Sequence, residues 1–134
     1  SAWFQTPFRN LASAPDSGLT WLLPRAIGTL RAKRMLMRAE KVDAATALDW
    51  GLVSEVRPDE GFAAAARDVA MEFAQGATIA LGEIKQLIAS GQTGELHSAF
   101  EGEAAAVERT ARTRDNVAAV KLFASKSLPQ FTGE

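Results

Sequence analysis

Apolar positions recur along most of this chain at spacings of three and four, and the stretches between them are short and turn-like. The spacing predicts a helix over residues 17–27, with Asp16 or Ser17 as its N-cap and Gly28 as its stop. Pro24 falls inside that helix and predicts a break or kink. Residues 29–39 place Ala32, Met35, Leu36 and Ala39 on one face. Asp43 is set to cap a short helix that runs through Trp50 and stops at Gly51. Pro58-Asp59-Glu60 then opens a helix with Phe62, Ala66, Val69, Ala70 and Phe73 on one side. Beyond Gly76, a helix over about 78–89 carries Ile84, Leu87 and Ile88, and Ser90 to Gly94 reads as a turn. A long helix follows, striped by Leu96, Phe100, Ala104, Val107 and Ala111. Thr113-Arg114-Asp115 starts the last one, with Val117, Val120, Phe123 and Ala124, and Pro129 ends it. Residues 2–6 and the β-branched run Leu52 to Arg57 are the two candidate strands. The chain is thus mainly α with at most two short strands, and each helix has an apolar face that needs a partner.

Composition narrows the chemistry. Alanine is abundant and aromatics make up only 7% of the 134 residues, which favours helix over sheet. Without cysteine there is no disulfide, zinc-thiolate site or thiol nucleophile, and the cytoplasm is the expected compartment. One histidine, His97, in a polar stretch, argues against a histidine-rich metal site, so no metal is expected. No apolar run approaches a membrane span, so no membrane partner is expected. Charge is uneven: residues 1–41 carry +5, and the remainder −6. The basic cluster Arg31, Lys33, Arg34, Arg38 and Lys41 reads as a solvated helix face, with phosphate or an acidic surface as the alternative. Without a basic excess or interleaved aromatics, nucleic acid is not an expected partner.

The most informative stretch is Pro15-Asp16-Ser17-Gly18-Leu19-Thr20-Trp21, an isolated carboxylate in a Pro/Gly turn before an apolar helix start. Read alone, Asp16 is an ordinary N-cap. Read functionally, it is a carboxylate at a helix start beside Leu19, Trp21 and Leu22, positioned to take and return a proton at carbon. An apolar pocket would raise its pKa and the helix terminus would lower it.

These residues resemble the enoyl-CoA hydratase/isomerase (crotonase) family. The resemblance rests on Phe4-Gln5-Thr6-Pro7, Pro15 to Trp21, Leu23-Pro24-Arg25, Arg31-Ala32, Ala44 to Ala47 with Trp50-Gly51-Leu52-Val53, and the ending Phe123 to Phe131. It covers essentially the whole chain but only the latter part of the family's fold. It therefore implies the C-terminal helical portion of the α/β crotonase fold, divided into residues 1–57, the end of the crotonase core with the Asp16 motif, and residues 58–134, a helical oligomerisation region. It also implies that the backbone N–H donors of the family's oxyanion hole lie outside this chain, which is expected to be inactive alone.

The resemblance carries site residues over one by one. Where a hydratase glutamate stands four residues after the position of Phe4, this chain has Phe8, which disfavours two-glutamate hydration. Asp16 matches a catalytic aspartate of dienoyl-CoA isomerases, phenylacetate-pathway ring-opening isomerases and aryl-CoA dehalogenases. The Asp-Ser-Gly-x-Thr-Trp context is most similar to the phenylacetate-pathway isomerases. Leu19, in place of a glycine common in the motif, and Trp21 are implied substrate-binding positions. Lys126 aligns with a lysine that contacts the CoA phosphates, while Val107 replaces an aromatic that packs on the adenine. The implied partner is an acyl-CoA thioester, with coenzyme A as part of the substrate rather than a cofactor. A homo-oligomer, trimeric in the family, is implied as well. The implied reaction is double-bond isomerisation with Asp16 as proton shuttle. The alternatives are a hydratase, a dehalogenase with Asp16 as nucleophile, and a non-catalytic helical interaction module.

Overall fold

A computed structural model describes residues 1–127 and 129–134 and resolves the chain into two compact units, Ser1–Phe62 and Ala63–Glu134. In the first unit, strand β1 (Trp3–Phe4) pairs antiparallel with β2 (Val42–Asp43), Trp3 opposite Asp43 and Phe4 opposite Val42. Between them lie a 3₁₀ turn (Pro7–Leu11) and helices α1 (Leu19–Ile27) and α2 (Thr29–Arg38); α3 (Ala44–Asp49) follows β2 directly. The core is built from Leu23 and Ile27 of α1, Ala32 and Met35 of α2, then Val42, Ala47 and Trp50. This is the face that the 3–4 spacing predicts for residues 29–39, and Ala32 and Met35 are its most enclosed members. Thr6 is buried with it, its hydroxyl donating to the Met35 carbonyl at 2.9 Å, so the polar group is satisfied.

Three expectations change in this unit. The second strand is Val42–Asp43, not residues 52–57. Leu52 and Val53 instead turn their N–H groups back to the Ala47 carbonyl, at 2.8 and 3.4 Å, which closes the end of α3 and leaves no extended run. Pro24 does not break α1. Its missing N–H costs the Thr20 carbonyl one partner, and Thr20 is exposed, where water substitutes. The cap of α1 is neither Asp16 nor Ser17 but Gly18, whose left-handed backbone (φ 73°) turns its carbonyl to the N–H groups of Trp21 and Leu22. By contrast Asp43 caps α3 as its position predicts, accepting from Thr46 N at 2.8 Å.

The second unit holds α4 (Phe62–Ala74, whose first residue belongs to the first unit), α5 (Thr78–Gly91), α6 (Leu96–Ala111) and α7 (Arg114–Leu122), then a 3₁₀ turn (Phe123–Ser125). Helices α5 and α6 pack together, and the Arg109 guanidinium of α6 makes a fork of two 2.7 Å bonds to Glu83 of α5. The packed side of α6 is not the stripe of large residues. Leu96, Phe100 and Val107 are exposed, whereas Ala106 is buried and Gly102 sits where a Cβ would come within 3.3 Å of Leu87. Small residues let the two helix backbones approach, and that contact turns the larger apolar side chains outward.

Candidate functional site

The Asp16 turn is shaped by two consecutive left-handed residues, Ser17 (φ 53°) and Gly18 (φ 73°). Ser17 pays a conformational cost that glycine would not. The turn closes through Leu19 N donating to the Asp16 carbonyl at 3.0 Å. The carboxylate itself is exposed and accepts a hydrogen bond from Ser17 Oγ on Oδ1, also at 3.0 Å. Among the described residues Oδ2 has no protein donor. With Gly18 as cap, this carboxylate holds no helix N–H, so α1 does not depend on it.

The surroundings of Asp16 differ from the apolar pocket that the sequence suggests. Leu19 is half-buried, but Leu22 is half exposed and Trp21 turns to Arg25. The Arg25 guanidinium lies 3.8 Å from the Trp21 ring centroid and also donates to the Trp21 carbonyl at 3.0 Å. Asp16, Leu19 and Trp21 thus share one turn and helix start without enclosing the carboxylate. Phe8, in the 3₁₀ turn that precedes it, is half-buried and offers no acid or base.

The basic cluster is largely committed to internal contacts. Arg34 forks onto Glu40 at 2.6 and 3.0 Å; this pairing holds the Glu40 carboxyl below its ordinary range and raises Arg34. Arg31 and Arg34 stand 5.6 and 5.5 Å from the Trp50 ring, and Lys41 stands 4.0 Å from Trp3. A cleft of about 500 Å3 lies among Trp3, Arg34, Glu40, Lys41 and Trp50, but its wall of alternating signs and paired cations is poorly suited to an anion. Among the described residues no group of three or more His, Asp and Glu could hold a metal ion, and no helix is long and apolar enough to cross a membrane.

Lys126 lies in the second unit, one residue past the 3₁₀ turn. Its backbone is left-handed (φ 56°), and its N–H donates to the Phe123 carbonyl at 3.1 Å. A shallow apolar groove of about 590 Å3 runs beside it, lined by Ala119, Val120, Phe123, Ala124 and Ser127. Phe123 is 82% exposed, a ring face beside a cation. The periodicity had made Phe123 one more member of the α7 stripe, and only the turn after Leu122 shows that it leaves that face.

Asp115 was legible only as part of a helix start. It is buried, and its carboxylate clasps the returning chain. Thr132 N and Oγ1 donate to Oδ1 at 2.8 and 3.2 Å, and Gly133 N donates to Oδ2 at 2.9 Å. The Thr132 N–H is the main reason that the Asp115 carboxyl is held below its usual range; desolvation opposes it. No local spacing announces a contact over 17 residues, although Thr113 does cap α7 through Asn116 N, as the sequence suggests.

Comparison with known proteins places these features. The chain matches the enoyl-CoA hydratase/isomerase family profile over residues 1–134. It is 37% identical over 134 residues to a 1,2-epoxyphenylacetyl-CoA isomerase from Escherichia coli, covering all of this chain and 51% of that protein. Among solved structures, an enoyl-CoA hydratase/isomerase from Mycobacterium abscessus superposes with a TM-score of 0.92 at 40% identity, over 99% of this chain and 51% of that one. An enoyl-CoA hydratase from Bacillus anthracis gives 0.91 at 31% identity, over 100% and 52%. The chain spans about half the length of the relatives it matches, and its helical architecture is that of their C-terminal portion.

Proposed function

Because the chain belongs to the enoyl-CoA hydratase/isomerase family, we propose that it serves as the C-terminal half of an acyl-CoA isomerase with Asp16 as the proton shuttle. The Asp16 carboxylate takes a proton from the carbon next to the thioester carbonyl. Charge builds on the carbonyl oxygen, where N–H donors from outside this chain stabilise it. The same carboxylate then returns the proton at the far end of the allylic system. The observation that carries this reading is that Asp16 is exposed and caps nothing, with one oxygen oriented by Ser17. A residue with no structural task at a strained turn is available for chemistry. Phe8 supports isomerisation over hydration, since it removes one acid–base group. The likeness to the Escherichia coli isomerase supports an aromatic or alicyclic acyl group.

Lys126 and Phe123 are proposed to meet the nucleotide end of coenzyme A, the cation at phosphate and the ring under adenine. In this role Phe123 supplies the aromatic face that Val107, an aliphatic side chain, does not.

The test is isomerisation of a 3-enoyl-CoA by the full-length enzyme and its Asp16→Asn variant. The proposal expects a loss of at least about a hundredfold in kcat, the scale of a lost general acid–base group. Undiminished turnover refutes the role of Asp16, and an acyl adduct on the Asp16 peptide by mass spectrometry makes it a nucleophile instead.

The outward apolar side chains of the second unit favour one further reading, a helical self-association module. Light scattering together with coenzyme A titration separates the two, since association without coenzyme A binding supports the module.

A further inference from the structure

We propose that Asp115 is the positioning residue of the Lys126 groove, acting through the chain end that it clasps. The inference rests on the reading of Lys126 as a phosphate contact. Helix α7 is nine residues, about 13 Å long. Lys126 leaves one end of it and Thr132 is fixed near the other, on Asp115. Six residues span at most about 20 Å, so the return path has little slack while both ends are held. The groove lies along this path, with Ala119 and Val120 of α7 on one side and Lys126 and Ser127 on the other.

Both ends are held by specific contacts. At the near end, Lys126 adopts a left-handed backbone that a lysine rarely takes, and its N–H closes the 3₁₀ turn on Phe123. At the far end, the Asp115 carboxylate takes three hydrogen bonds from Thr132 and Gly133, and Asp115 N donates to the Glu134 carbonyl at 3.0 Å. Gly133 (φ 78°) fits only as glycine, because a Cβ there would lie 2.7 Å from Thr78 Oγ1. Releasing the clasp frees the segment that gives Lys126 its backbone geometry, and the cation loses its fixed place beside Phe123.

The test is a nuclear magnetic resonance titration of the 134-residue chain with coenzyme A, following Phe123 and Ser127 at several salt concentrations. The variants are Asp115→Asn, Lys126→Ala, their double variant, and Gly133→Ala, which loosens the chain end without touching Asp115. Lys126→Ala is expected to weaken binding by about three- to fivefold, the scale of an exposed ion contact, and to flatten its salt dependence. Asp115→Asn and Gly133→Ala are expected to reproduce both effects and to speed amide exchange at Thr132. The double variant is expected to bind no more weakly than Lys126→Ala. Faster exchange at Thr132 with unchanged affinity and salt dependence in Asp115→Asn, beside a weakened Lys126→Ala, overturns the positioning role alone. No saturable shifts in the unaltered chain, or unaltered affinity in Lys126→Ala, overturns the phosphate reading and this inference with it.

Discussion

Met35→Ala is the sharpest perturbation of the unit that presents the Asp16 turn. Met35 is 2% exposed and touches the core from the middle of α2, where α1 and α2 meet. Truncation to alanine removes three heavy atoms and leaves a cavity bounded by Leu23, Ile27 and Trp50, residues of three different segments that cannot all move inward. Transfer and cavity contributions together give about 2–4 kcal/mol. A unit of 62 residues has about 3–9 kcal/mol to lose, so the change removes a large share of it. All three tryptophans, Trp3, Trp21 and Trp50, lie in this unit, so tryptophan fluorescence in urea follows it selectively. The expected result is a midpoint lowered by about 1–3 M. Met35→Leu, which keeps the volume, should cost less than about 1.5 kcal/mol. A Met35→Ala midpoint within the error of wild type would refute the assignment of this core.

Ala47 is fully enclosed, so Ala47→Leu should overpack the same core by about 1–3 kcal/mol in the same fluorescence assay. Asp43→Ala removes the acceptor of Thr46 N and should lower the urea midpoint by less than Met35→Ala does. The Asp115 carboxyl is held below its ordinary value when folded, so it contributes stability above its unfolded pKa of about 3.9 and loses it as pH falls through the lower folded value. Circular dichroism in urea should therefore show a smaller loss of stability on acidification for Asp115→Asn than for wild type.

Much of this architecture follows from local rules. The 29–39 face, the Asp43 and Thr113 caps and the helix over 78–91 are each set by residues within a turn or two of one another. What escaped is set by distance or by competition. Leu52 and Val53 have strand propensity, but the Ala47 carbonyl captures their N–H groups. The face of α6 is chosen by how closely Gly102 and Ala106 let α5 approach, which periodicity alone does not rank. Asp16 as a candidate was legible from its motif; that it caps nothing was not, because Gly18 supplies the same carbonyl by turning left-handed. The Asp115 clasp joins residues 17 and 18 positions apart and leaves no periodic trace.

The central claim is that Asp16 moves a proton to and from carbon. The most direct measurement is solvent deuterium incorporation into a 3-enoyl-CoA by the full-length enzyme, followed by mass spectrometry before turnover is complete. The account predicts incorporation by wild type and a rate at least about a hundredfold lower in Asp16→Asn, with an unchanged urea midpoint because the carboxylate caps nothing. Incorporation at the wild-type rate in a folded Asp16→Asn variant would contradict it.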